Sequence, residues 1–237
     1  MVLKPSFSVL TVSKRIGWSK VAASSIAAQT AKPLEWVIVE ERPGMPHTDI
    51  KHLYEANTEV VPMFAPESKH PSNLNASLNA GLRVIEAEYV IFYQDFIELP
   101  PDCFEKLMAL ATPDTFVTTC TPKYDGSDDG RYLGIDQPRP CHPEEWETNV
   151  AIAPMKMLRD IGGFDERLDV GWSWDNVNVA LRAEMLGAKF ILDESNRPKL
   201  LQHEQTSKLS MTTNGELNEQ LIKDIRQGKA PLKLPFL

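Results

Sequence analysis

Residues 89–93 read YVIFY, an unbroken apolar run with no polar residue in it. A strand with one wet face would alternate; one that does not has both faces covered, and in a single chain the cover is helices. This run therefore constrains the chain to layers of helix, sheet and helix. Two similar runs lie upstream, Phe7–Val12 (FSVLTV) and Glu35–Val39 (EWVIV), and Val60–Phe64 is a weaker one. Helical periodicity fills the gaps. Trp18–Gln29 carries alanines with Val21 and Ile26, and Leu74, Leu78, Leu82 and Ile85 share one face. Pro100-Pro101-Asp102 opens a helix from Cys103 to about Ala111, with Asp102 expected as its N-cap. Phe116–Cys120 is the next strand. The order β-α-β-β-α-β-α-β predicts a doubly wound, mostly parallel sheet with ligands beyond the carboxyl ends of its strands.

Thr121–Glu147 breaks the pattern. It is rich in Asp, Gly and Pro and too long for a routine connection, so it is expected to be a functional loop or lid, mobile without ligand. Asn149–Ala153 is strand-like, and Pro154–Ile161 is a short helix ended by Gly162 and Gly163. Val177, Leu181 and Met185 share a face of a helix over Asn176–Leu186 that stops at Gly187, and Lys189–Leu192 is a last strand. A further helix is expected near Glu216–Arg226.

The chain has 237 residues, 42% of them hydrophobic, and a formal net charge of −8. That length fits one sizeable core. The acidic balance argues against broad adhesion to nucleic acid or anionic membrane. No run approaches the roughly 20 apolar residues that span a bilayer, and Met1–Lys14 has no signal-peptide pattern. Cys103, Cys120 and Cys141 lack metal-ligand spacing and read as thiols of a reducing compartment, which predicts a cytoplasmic protein. KRIGWSK after the first strand is no G-x-G-x-x-G, so a dinucleotide oxidoreductase is not indicated, and a P-loop is absent as well.

FSVLTVSKR with SSIAAQT, then LNASLNAGLRVIEAEYVIFYQDFIELPPD, then MLRDIGGFDERL, then GWSWDNVNVALRAEMLGAKFIL stand in this order between Phe7 and about His203. Together they resemble the family 2 glycosyltransferases of the GT-A fold. The resemblance implies an α/β nucleotide-diphospho-sugar transferase domain over 1–203. Its nucleotide half would be 1–100 and its acceptor half 101–203, followed by a polar helix and tail over 204–237. It implies transfer of a sugar from a nucleotide-diphosphate sugar, a UDP-sugar first, to an acceptor hydroxyl. The transfer would invert the anomeric centre with help from a divalent metal, Mn²⁺ or Mg²⁺. The acceptor is open among glycans, small molecules and modified nucleic-acid bases. A second reading is a sugar-nucleotide-binding module with impaired catalysis.

The same resemblance implies site residues. Gln94-Asp95-Phe96 stands where the family carries D-x-D, so one carboxylate is left; Asp95 would hold the metal, because a lone carboxylate between apolar neighbours is costly unless paired. His203 stands where the family often has a metal or diphosphate ligand. Thr11, Ser13 and Arg15 would contact the donor, Arg15 at phosphate. Glu40 or Glu41 would accept from the base or ribose, or be solvated loop residues. Asp175 and Asn176 occupy the acid pair of the family's W-x-x-E-D helix. Asp175 would be the catalytic base or the N-cap of its helix, and Asn176 cannot take a proton. Trp172 and Trp174 would stack on sugar or base, or pack in the core. Gly162 and Gly163 would let backbone approach the sugar, or simply end a helix.

Overall fold

In the computed structural model the described residues are 5–13, 15, 17–41, 50–67, 73–122, 125–127, 130–170, 174–201 and 215–229. The elements in chain order are β1 (Phe7–Ser13), α1 (Ser19–Ala27), β2 (Glu35–Glu40), α2 (Ile50–Leu53), β3 (Glu59–Phe64), α3 (Leu74–Val84) and β4 (Tyr89–Tyr93). There follow β5 (Ile97–Glu98), α4 (Cys103–Leu110), β6 (Thr115–Thr119), β7 (Pro138–Pro140), β8 (Val150–Pro154) and α5 (Met155–Ile161). The chain closes with α6 (Asp175–Met185), β9 (Lys189–Asp193), β10 (Lys199–Leu200) and α7 (Gly215–Arg226). No helix among the described residues is long and apolar enough to cross a membrane.

One sheet runs β3-β2-β1-β4-β8-β6-β9-β7, and β5 pairs with β10 in a separate ribbon. The pairs β3–β2, β2–β1, β1–β4 and β6–β9 are parallel, so the sheet is mostly parallel, as expected. β8 runs against both β4 and β6, and β7 against β9. β3 tolerates Pro62 because it is an edge strand, where a missing N–H costs no ladder bond.

Alternation along the strands sorts the core into two layers. Val9, Trp36, Ile38, Ile91 and Ile152 pack with Ala22 and Ile26 of α1 and Phe104 and Leu107 of α4. Leu10, Val37, Val39, Phe92 and Phe116 pack with Leu78 and Leu82 of α3, Leu158 of α5 and Val179 of α6. Edge-to-face pairs lock both layers: Trp18 on Trp36 in one, Phe92 on Trp146 and Phe164 in the other. Each is worth about 0.5–1.5 kcal/mol beyond its burial. Gly81 lets α3 come close to β1, since a Cβ there would stand 2.3 Å from Leu10 Cδ1.

Several expectations need correction. Asp102 is the N-cap of α4, as expected, but without a side-chain cap bond; its carboxylate pairs with Lys106 instead. Asp175 is the first residue of α6 and Trp174 is its N-cap, without a side-chain bond, so the capping reading of Asp175 falls away. The shared face of Val177, Leu181 and Met185 turns away from the sheet: Val177 and Leu181 pack with α7 and Met185 is exposed, while Val179, Ala180 and Ala183 pack in the sheet's core.

The expected lid is tethered along its second half. β7 extends the sheet edge through Arg139↔Leu192. The fully buried Glu194 carboxylate accepts from the backbone of Leu133 and Ile135 and from Arg139 Nε at 2.8 Å. Arg131 donates to the carbonyls of Glu145 and Thr119. These bonds satisfy backbone that periodicity could not account for, and they tie residues 131–145 to the sheet. Limited proteolysis should leave 131–147 intact in the wild type. Glu194→Ala should open new cleavage sites there, and an unchanged digest of that variant would refute the tether.

Candidate functional site

β1, β2 and β4 are parallel, so Ser13, Glu40 and Tyr93 end at one edge of the sheet, with Ser13 beside Glu40 in register. Beyond Tyr93 the turn through Gln94, Asp95 and Phe96 is held at fixed points. Tyr93 Oη donates to the Ile97 carbonyl at 2.6 Å, Gln94 N to the Asn149 carbonyl, and Leu201 N to the Phe96 carbonyl.

Asp95 is 1% exposed. It is no solvated turn residue, because its carboxylate is paired on both oxygens. Ser13 Oγ donates to Oδ2 at 2.5 Å and Arg15 Nη1 to Oδ1 at 2.6 Å. The Arg15 guanidinium also lies over the Phe96 ring, 4.3 Å from its centroid. That fixes a cation at the strand ends.

Glu40 is a different case. It is 4% exposed, and neither carboxyl oxygen has a hydrogen-bond partner among the described residues. Burial, and then the Asp95 charge, push its carboxyl up to about 7. Glu41 follows the strand and turns to the other side, into a cleft.

That cleft is lined by Leu10, Val12, Leu74, Leu78 and Phe92 as an apolar floor and by Arg15, Glu41, Gln94, Asp95, Phe96 and Thr148 as its rim, with Tyr93 between. An apolar floor with a few convergent polar groups is the usual make-up of a small-molecule site. The amino end of α3 beside it is already satisfied. Asp169 accepts from the backbone N–H of Asn75 and Ala76 and from Asn75 Nδ2 at 2.9–3.0 Å.

Thr148 joins the cleft to α6. It sits just before β8, on the cleft wall, and its hydroxyl donates to Asn176 Oδ1 at 2.9 Å. Asn176 and Asp175 open α6 and are half-buried. The Asp175 carboxyl is raised to about 6 by burial, then by Asp169 and Glu147, against the pull of its own backbone N–H. The helix start thus does not keep it an ordinary acid; desolvation wins. Trp174 before it has φ 75° and ψ −3°, a left-handed conformation costing a bulky residue on the order of 1–3 kcal/mol.

Of the expected site residues, the cleft brings together Arg15, Glu41, Gln94 and Asp95, with Asn176 attached through Thr148. Ser13 and Glu40 lie behind it, Ser13 in contact with Asp95. Thr11 is a core residue whose hydroxyl accepts from Trp36 Nε1. Gly162 and Gly163 are buried and do not line the cleft. Gly162 caps α5 at φ 82°, and the Gly163 carbonyl accepts from the buried Arg182. Trp174 packs on α7 rather than into the cleft. Trp172 and His203 lie outside the described residues. Thr148 was missed because nothing in its local sequence marks it; it counts only through the pairing of β8.

Among the described residues no group of three His, Cys, Asp or Glu side chains could hold a metal ion. Asp95, the expected ligand, already spends its carboxylate on Ser13 and Arg15. The described residues as they stand do not fit a cation held by protein side chains.

A buried carboxyl whose folded value is raised from 4.5 to about 7 binds more protons folded than unfolded between those values. Its contribution is fully favourable below the unfolded value and is lost as pH rises through the folded one. Glu40→Gln should therefore gain Tm relative to wild type between pH 5 and pH 8. A difference independent of pH would mean that Glu40 does not titrate in this range.

No protein-family model and no curated protein sequence matches the chain. Solved structures do. GalNAc-T7, crystallised with UDP, GalNAc and Mn²⁺, superposes with a TM-score of 0.66 at 12% identity, over 86% of this chain and 45% of that one. TarS residues 1–349 of S. aureus, in complex with UDP, superposes with a TM-score of 0.62 at 14% identity, over 83% of this chain and 60% of that one. The chain thus spans less than two thirds of the length of either. Both are glycosyltransferases of the GT-A fold, and GalNAc-T7 is not of family 2, so the likeness reaches the fold class and not that family. This chain has the GT-A fold.

Proposed function

We propose that the chain is a glycosyltransferase that moves a sugar from a nucleotide-diphosphate sugar, a UDP-sugar first, to an acceptor hydroxyl with inversion. One observation carries the reading. A cleft at the carboxyl ends of β1 and β4 is joined, through Thr148, to the start of the helix bearing Asp175 and Asn176. The GT-A fold shared with proteins crystallised with UDP supports the donor class. We assign the nucleotide half to 1–100, the acceptor half to 101–203 and a C-terminal helix and tail to 204–237.

In this reading the base lies on the apolar floor, with Glu41 and Gln94 offering acceptors at the rim. Arg15, steadied by Asp95 and Phe96, faces the diphosphate and offsets the charge that grows on it as it leaves. Asp175 takes the acceptor hydroxyl proton while that oxygen bonds the anomeric carbon and the bond to diphosphate breaks on the opposite side. A carboxyl near 6 is ionised at neutral pH yet more basic than an ordinary aspartate, which suits the task. Asn176, its oxygen held by Thr148, turns its amide N–H groups to the acceptor. The Mn²⁺ or Mg²⁺ implied by the family would supply further charge neutralisation on the diphosphate; no step here depends on it. The acceptor class stays open among glycans, small molecules and modified nucleic-acid bases. A binding module without catalysis would share the cleft and differ in leaving UDP-sugars unhydrolysed.

UDP at ten times its Kd should stabilise the fold by about 1.4 kcal/mol in the presence of EDTA, and Arg15→Ala should lose most of this. A shift appearing only with Mn²⁺ would transfer the role of Arg15 to a cation. Absence of any shift with any nucleotide would sink the donor assignment.

Asp175→Asn should lower turnover, with water or an acceptor as nucleophile, by roughly 10²–10⁴ while UDP affinity holds. Wild-type turnover should fall as pH drops through about 6, where Asp175 protonates. Near-normal turnover in the variant would end the base assignment.

A further inference from the structure

Trp174 is the odd member of a small set. Among the described residues, the non-glycine positions with positive φ are Asn57, Asp136 and Trp174. Asn and Asp tolerate the left-handed region because their short polar side chains bond locally; a tryptophan has no such help. Something outside the local backbone must hold it there. Its indole packs on the cluster of Leu181 from α6 with Ile222 and Ile225 from α7, whose isoleucines are 2% and 4% exposed. α7 is tied in turn to both neighbouring turns. Arg226 pairs with Glu144 in the 143–145 turn that leads to Thr148, and Asn218 Nδ2 lies 3.5 Å from the Leu168 carbonyl, next to Asp169.

We infer that Trp174 is a positioning residue: seated on the Leu181–Ile222–Ile225 cluster, it holds the first turn of α6 so that Asn176 meets Thr148 and Asp175 keeps its half-buried place at the helix start. The inference rests on the proposed role of Asp175. The left-handed step at Trp174 sets the direction in which α6 begins, and the next two residues are the ones that face the acceptor half. The charges around Asp175 are otherwise committed. Asp169 is bound to the Asn75 and Ala76 amides, and Glu147 lies 3.5 Å from Arg131. If the start of α6 turns away, Asp175 leaves its half-buried setting and the field of Asp169 and Glu147 together. α7 therefore acts on the site without touching ligand, which gives the C-terminal helix a task in catalysis.

The test uses the full chain with Ile222→Ser plus Ile225→Ser, which touches no site residue, and separately Trp174→Gly, which suits the left-handed backbone but removes the anchor. The Asp175 carboxyl is titrated by ¹³C NMR, UDP affinity is measured, and UDP-sugar turnover is followed. Both variants should lower the Asp175 midpoint by about one unit and cut turnover by about 10²-fold, with UDP affinity within twofold. Trp174→Phe should restore most of both. A merely structural α7 would lower Tm and leave the midpoint alone, so an unchanged midpoint in folded Trp174→Gly overturns the inference. If the wild type turns over no UDP-sugar, the enzymatic reading fails by itself, while the midpoint shift still decides whether α7 positions Asp175.

Discussion

β8 runs against both of its neighbours, so the chain entering it passes beside the end of β4. Tyr93 pairs with Val150, and the Gln94 amide bonds the Asn149 carbonyl. In an all-parallel sheet the segment before β8 would lie at the far edge, about the length of a strand away. Here it brings Thr148 onto the cleft wall, and Thr148 brings Asn176 with it. The cleft and the start of α6 are joined because one strand is reversed.

Polar groups at this edge are treated unequally, and the inequality is chemical. Asp95 is satisfied on both oxygens and serves to fix a cation, Arg15, at the cleft rim. Glu40, one strand over and similarly buried, has no hydrogen-bond partner among the described residues. A buried carboxyl without donors favours its neutral form, so adjacent acids on one edge differ in charge near neutral pH. Asp175 lies between the two: burial raises its carboxyl to about 6 against the pull of its own backbone N–H, so it stays ionised at neutral pH. In the proposed reaction this difference suits Asp175 to taking a proton and Arg15 to steadying a leaving anion.

The buried charges away from the cleft work as fasteners. Glu194 gathers the backbone of residues 133 and 135, Asp169 holds the start of α3, and Arg182 binds the carbonyls of Ile161 and Gly163. Each ties an irregular segment to a regular one, where backbone has no ladder to join. Residues 131–145 owe their order to this, although their composition reads as a loose loop.

The layered fold was legible in the sequence because burial on both faces leaves an unbroken apolar run at Tyr89–Tyr93, and helical spacing at Leu74–Ile85 needs no partner to be read. The loops after β1, β2 and β4 were legible as one edge too, since the ends of parallel strands must gather; the resemblance then singled out Arg15, Glu41 and Asp95 on them. What the tertiary structure decided were the facts of partnership. Among the described residues Asp95 is paired and Glu40 is not. Thr11 serves the core, Trp174 turns to α7, and Asp175 begins its helix without capping it. Thr148 matters though its neighbourhood carries no sign of it. Periodicity reports which face of an element is buried, a property of the element alone. Which donor meets which acceptor depends on segments distant in sequence, Ser13 with Asp95 or Thr148 with Asn176, and no local pattern encodes a pairing that only the packed sheet creates.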